Sequence, residues 1–268
     1  MEHNRELLRL LPGVLRARDF HLYTEGGRRL TDLWLEGGKA ILGHKPPKVL
    51  VELKNSAERG LFCSLPHPLE RRFLKALGIF FPGFAFRLYT DEGSRRRALE
   101  EAGFPENEVL LWRPFLEPDI PGSCSVCKPV LPWPQGPSVL VLAKSMDASF
   151  PPGDLVPPVL LAPAERALYN LSAELKARAP NRGCPRYPKI DKIFNLQKQK
   201  DSFWRRRGIY LFAEPEMDRE KYKELFLRFL ENDFLLPPSP LEPLILPGVM
   251  SDGEESKLAE LLASSMSK

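Results

Sequence analysis

Apolar positions along the chain change period many times, and each change marks a short element. Residues 5 to 18 read as an amphipathic segment in which Leu7, Leu8, Leu10 and Leu11 are interrupted by Pro12 and Gly13. Phe20 to Tyr23 and Arg29 to Trp34 alternate as strands do, and Glu25-Gly26-Gly27 between them supplies the glycines of a tight hairpin turn. After Pro46-Pro47, the stretch Lys48 to Arg59 carries Val49, Leu50 and Leu53 on one side and predicts a helix. Pro68 to Leu77 predicts a second helix, with Leu69, Phe73, Leu74 and Leu77 at helical spacing. Phe84 to Tyr89 is β-like, Gly93 to Ala102 helical, and Val109 to Trp112 reads as a buried strand.

Proline crowds the stretch from Pro114 to Pro137, which argues against a helix or an interior strand there. Val139 to Leu142 and Val159 to Leu161 are short apolar runs of strand type, and Pro163 to Arg178 predicts a helix. Gly208 to Phe212 reads as a strand. Asp218 to Asn232 reads as a helix with Asp218 as its N-cap and Tyr222, Leu225, Phe226 and Phe229 on its buried face. Beyond the turn Leu236-Pro237-Pro238-Ser239-Pro240, the last helix spans Ser251 to Ser264. Ser251 and Glu254 form its capping box, and Leu258, Leu261 and Leu262 face inward. Strands alternating with helices predict an α/β sheet, parallel in part. The closing strand, helix, turn and helix predict a small α+β domain, against which the N-terminal hairpin packs.

Composition narrows the class. With 268 residues, 43% of them hydrophobic and 28% charged, the chain can bury a core in one or two domains. It contains no apolar run long enough to span a bilayer, and Met1 to Arg5 lacks the start of a signal peptide, so the expectation is a cytoplasmic protein with no membrane partner. The net charge is +4, and the runs Arg95 to Arg97 and Arg205 to Arg207 are short. A nucleic-acid-binding face concentrates basic charge between aromatic residues, so nucleic acid is not an expected partner. Of the four cysteines, Cys124 and Cys127 have metal-ligand or redox spacing, but Cys63 and Cys184 supply no second close pair. Pro121, Pro129, Pro132 and Pro134 place the pair in a loop, so no metal site is expected.

Two places carry candidate chemistry. Asp91-Glu92-Gly93-Ser94 opens a helix, and a glycine-serine turn at a helix start offers free N–H groups and the positive end of the helix dipole to a phosphate. Asp91 and Glu92 would repel that phosphate, and acidic residues at a helix start are also ordinary caps. Lys144 closes the apolar run Val139 to Ala143, which would put an amine at a strand's C-terminal edge, where α/β sites form. A strand can equally end in a solvated lysine.

Two blocks at opposite ends of the chain carry a resemblance. The first comprises Gly26-Gly27-Arg28-Arg29-Leu30-Thr31-Asp32, Leu42-Gly43-His44-Lys45-Pro46-Pro47-Lys48-Val49 and Gly60-Leu61-Phe62-Cys63-Ser64-Leu65-Pro66. The second is Phe226 to Leu236 followed by Pro237-Pro238-Ser239-Pro240-Leu241-Glu242 and the final capped helix. In this order they resemble the class III aminotransferases, which are fold type I pyridoxal-phosphate (PLP) enzymes, with the glutamate-1-semialdehyde aminomutase branch most similar.

The resemblance implies an α/β fold with a reduced large-domain sheet at 61–200 and a small α+β domain at 201–268, the segment 1–60 packing with the small domain. It implies PLP as cofactor, a small amino compound as substrate and a homodimer. Pro137 to Lys144 and Phe150-Pro151-Pro152-Gly153 match the stretch around the family's Schiff-base lysine, which makes Lys144 the catalytic candidate. Gly93 and Ser94 match its phosphate cup. Asp119, with Glu117 close by, lies about where its pyridine-nitrogen carboxylate should be. Only Arg95 to Ala143 stands where the family carries several strands and a ring-stacking residue, which calls catalysis into question. Two functions remain open: a PLP-dependent aminotransferase or aminomutase, and a non-catalytic dimeric binding or assembly protein that keeps the small domain.

Overall fold

The computed structural model describes residues 6–116, 124–178, 187–196, 203–213 and 217–266, arranged as two units. One unit takes in Pro46–Pro114 and Pro118–Ala177; the other takes in Met1–Lys45, Phe115–Glu117 and Arg178–Lys268. The second of these thus joins the two ends of the chain.

That terminal unit begins with β1 (Val14–Arg18), β2 (His21–Thr24) and β3 (Arg29–Asp32), an antiparallel meander. Gly27, at φ +73°, makes the turn between β2 and β3. The segment expected to be amphipathic is therefore partly strand: all five residues of β1 are exposed, so β1 is held by its backbone pairing with β2 rather than by a buried face. β3 also pairs in parallel with β10 (Phe234–Leu235), which ties the start of the chain to its end. Leu30, Leu33 and Leu35 are fully buried beneath this sheet.

Two carboxylates, the buried Asp32 and the half-buried Glu254, fix the unit. Asp32 accepts the N–H groups of Trp34 and Leu35, each at 2.9 Å, through one oxygen, and bonds His44 Nε2 at 2.9 Å through the other. Gly43 lets this loop close: it sits at φ +84°, and a Cβ there would lie 2.9 Å from the Asp19 carbonyl oxygen. Glu254 completes the capping box of the last helix by accepting the Ser251 N–H at 2.9 Å. Its other oxygen takes His21 Nε2 at 2.8 Å, Arg29 Nη2 at 3.1 Å and the Thr31 hydroxyl at 3.2 Å. Burial would raise its pKa, but the Ser251 and His21 bonds outweigh it and bring the carboxyl down to about 2.

A hairpin of β8 (Trp204–Arg207) and β9 (Tyr210–Ala213), with β9 paired to β11 (Leu244–Ile245), forms the unit's second sheet. The strand expected from Gly208 thus starts at Tyr210, because Gly208, at φ +62°, is the hairpin turn. The helix expected after Asp218 spans Arg219–Glu231; Asp218 stands at the cap position, but its side chain makes no cap bond.

The other unit is built on a four-stranded sheet in the order β4 (Ala85–Tyr89), β7 (Ser138–Leu142), β6 (Val126–Pro129) and β5 (Leu110–Trp112). β7 is antiparallel to both neighbours, and β5 and β6 run parallel. Every residue of β7 is buried, as a strand covered on both faces requires. Among the described residues, the helices here are α1 (Val49–Glu58), α2 (Pro68–Leu77), α3 (Glu92–Glu101) and α4 (Pro158–Arg178). In the terminal unit follow α5 (Pro188–Leu196), α6 (Arg219–Glu231) and α7 (Asp252–Met266).

Two expectations are corrected in this unit. β6 is an interior strand in the stretch where proline density argued for none. Val126, Cys127 and Lys128 carry no proline, and Pro129 sits at the strand's last position, where one missing N–H is tolerated. Val159 to Leu161 is the first turn of α4 rather than a strand. A short apolar run does not distinguish a buried strand from a buried helix, and Pro158 at the first helical position starts the turn. Pro163 lies inside the helix and forgoes the bond to the Val159 carbonyl.

The open edge of β4 is closed by the segment 151–155. Asp154 donates its N–H to the Leu88 carbonyl at 2.7 Å, and its carboxylate accepts the Thr90 N–H at 3.0 Å. Gly153 is required for this approach, because a Cβ would lie 2.5 Å from Leu88 O and 2.8 Å from Leu88 N. Gly153→Ala is therefore expected to cost about 1–3 kcal/mol of stability in urea denaturation of the full chain; an unchanged midpoint would show that the segment lifts off β4 freely. In the terminal unit, the Glu254 carboxyl titrates at about 2 instead of the usual 4.5, so its contribution is complete above pH 4.5 and vanishes as pH falls through about 2. Glu254→Gln is expected to lose up to about 3 kcal/mol at pH 7, with the gap to the native chain closing between pH 4.5 and 2; a gap that does not change with pH would show that the charge is not what stabilises.

Candidate functional site

The start of α3 is the candidate phosphate cup, and its Ser94 N–H and hydroxyl are already engaged. Asp91 caps the helix by accepting the Ser94 N–H at 2.8 Å, and the Ser94 hydroxyl accepts from Arg97 Nη2 at 2.8 Å. Gly93 matches that cap: a Cβ there would stand 3.1 Å from the Asp91 carboxylate. Glu92 turns toward the sheet. It accepts Lys128 Nζ at 2.7 Å and Arg95 Nε at 2.9 Å on one oxygen, and the Ser138 hydroxyl at 3.1 Å on the other. Burial would raise the Glu92 carboxyl, but the Lys128 and Arg95 bonds outweigh it and hold it at about 2. Arg95 is fully buried and spends its two remaining nitrogens on Glu106, at 2.6 and 3.0 Å. Burial keeps the Lys128 ammonium below its ordinary range despite Glu92.

Lys144 opens a 3-10 turn, Lys144–Ser149, directly after β7. It is exposed and lines a cavity of about 700 Å³ together with Glu70, Arg87, Asp147 and Asp154. Arg87 spans this wall: it pairs with the Asp147 carboxylate at 2.7 Å and donates to the Asp147 and Pro151 carbonyls at 2.9 and 3.0 Å.

The two candidates lie at opposite ends of the sheet. β4 and β7 are antiparallel, with Tyr89 opposite Ser138 and Ala85 opposite Leu142. α3 starts beyond Tyr89, and Lys144 follows Leu142. Four residue steps at about 3.4 Å separate these ends by about 14 Å. The aldehyde and the phosphate arm of PLP are neighbouring substituents of a single ring, so one molecule does not reach both Lys144 and Gly93-Ser94. With carboxylates also at the α3 start, the described residues do not bring Lys144 and Gly93-Ser94 together around one PLP.

Asp119 and Glu117 lie outside the described residues, as does Cys184. Cys124 and Cys127 are brought together: a bend at Ser125 sets the two thiols in hydrogen-bond contact. Cys127 belongs to interior strand β6 rather than to a loop, and burial pushes its thiol up to about 12. Among the described residues no group of three His, Cys, Asp or Glu could hold a metal, and no helix is long and apolar enough to cross a membrane. Sequence reasoning missed Lys128, Ser138 and Glu106. Only the Glu92–Arg95 pair, three residues apart on a helix, leaves a legible signal.

No protein-family model matches the chain. It is 29% identical over 293 aligned positions to an uncharacterized protein of Treponema pallidum, an alignment that takes in 91% of this chain and 92% of that one. Over 71 residues it is 34% identical to glutamate-1-semialdehyde 2,1-aminomutase of Thermus thermophilus, which is 26% of this chain and 17% of that enzyme. Among solved structures, ornithine delta-aminotransferase of Plasmodium falciparum superposes with a TM-score of 0.64 at 13% identity, covering 99% of this chain and 97% of that one. The chain thus has the fold of the class III, PLP-dependent aminotransferases, in a shortened form.

Proposed function

We propose that this chain is a non-catalytic member of the aminotransferase fold, a binding or assembly protein that keeps the small-domain unit and works as a homodimer. The observation that carries the reading is the antiparallel pairing of β4 with β7, which separates Lys144 from the α3 start by the length of a strand. Binding is further supported by a cavity of about 300 Å³ in the terminal unit, walled by Leu7, Met217, Tyr222, Pro238 and Leu241. The polar end of Tyr222 is satisfied by the Pro237 carbonyl at 2.7 Å, and Glu6, Arg219, Glu220 and Lys223 also line the cavity, so the lining suits a ligand or side chain with both apolar and charged parts.

The competing reading is a PLP-dependent aminotransferase or aminomutase acting on a small amino compound. It is favoured by the position of Lys144, an exposed amine on a cavity large enough for a cofactor. Absorbance spectra of the purified chain with added PLP, before and after borohydride reduction, decide between them. The non-catalytic reading expects no reducible adduct at Lys144 and the same spectrum from Lys144→Ala as from the native chain. A borohydride-trapped adduct on Lys144, found by peptide mass mapping and absent from Lys144→Ala, would overturn it.

A further inference from the structure

We infer that Lys128, Arg95 and Ser138 form an oxyanion site whose resident anion is the chain's own Glu92 carboxylate. The inference rests on the reading above only in placing no cofactor at the α3 start. Three side chains from three elements converge on one carboxylate: Lys128 from β6, Arg95 from α3 and Ser138 from β7. This is the donor set that phosphate and sulfate sites use, a point charge, a guanidinium N–H and a hydroxyl. The helix's own Ser94 N–H is taken by Asp91, so the site is made of side chains and not of the helix end.

Charge and access support the assignment. Arg95 and Glu106 cancel, as do Lys128 and Glu92, so the cluster is neutral with Glu92 in place and carries one positive charge without it. A phosphate added to the intact cluster would leave it with excess negative charge in a partly desolvated place, which excludes the ion. The Glu92 side chain is 44% exposed, whereas Arg95 is completely buried. The carboxylate therefore sits at the mouth, and removing it opens the cations to an ion from solvent.

Thermal unfolding of the full chain in inorganic phosphate and in chloride at matched ionic strength tests this. The native chain is expected to melt at the same temperature in both salts. Glu92→Ala is expected to melt lower in chloride and to regain about 2–4 °C in saturating phosphate. The double variant Glu92→Ala, Lys128→Ala is expected to lose that response. Glu92→Gln keeps an acceptor for Ser138 and Lys128 and is expected to perturb the fold less than alanine, with a smaller phosphate response of the same sign. No phosphate response in any folded position-92 variant, an equal response in the native chain, or a response that survives loss of Lys128 would each overturn the inference. None of these outcomes bears on a PLP adduct at Lys144, so the two readings fail separately.

Discussion

The five-residue antiparallel register between β4 and β7 is the constraint on which the larger questions about this chain turn. It makes β7 an interior strand with every side chain buried and leaves β4 as the sheet's edge. Exposed strand edges invite pairing with other chains, and here the segment 151–155 takes that role by bonding Leu88 and Thr90. The same register sends the two chemistry-bearing turns in opposite directions. One strand delivers its helix start at one end of the sheet, and the next delivers its lysine at the other. No side-chain rearrangement alters that, because it follows from strand direction.

The terminal unit depends on a different device, two carboxylates that each serve several partners at once. Asp32 shapes the loop after β3 and anchors His44, and Glu254 caps α7 while holding His21, Arg29 and Thr31. Arg28 adds a third tie, donating to Asp233 at 2.8 and 3.0 Å and to the Leu230 carbonyl at 2.6 Å. All of these residues but His21 lie in the two blocks that resemble the aminotransferases. Much of that resemblance is therefore accounted for by how the two chain ends are fastened together, which is architecture and not chemistry.

The capping box at Ser251 and Glu254, the hairpin around Gly27 and helix α2 at Pro68–Leu77 were legible because each is specified within a few neighbouring residues. β6 was not legible, since its strand character comes from two flanking partners and its own sequence is dominated by nearby proline. The run Val159 to Leu161 was misread because apolar residues alone do not separate strand from helix over so short a stretch. At the candidate site, the motif residues Gly93 and Ser94 were found from spacing. Their meaning was not, because it lies in Lys128 and Ser138, which are 36 and 46 residues from Glu92 in sequence.

Those distant partners also explain why a carboxylate at position 92 belongs in this fold. Glu106 already neutralises the wholly buried Arg95, but the mostly buried Lys128 has Glu92 as its ion-pair partner, and burying a cation without a partner costs several kcal/mol, of order the stability of a domain. In a fold that binds a phosphate, the ligand can supply the missing negative charge, but then stability depends on the ligand being present. Glu92 supplies the charge covalently and in a fixed place. Lys128 is thereby paired with no ligand at all, while Gly93 and the Ser94 N–H, which resemble part of a phosphate cup, serve the helix's own Asp91 cap.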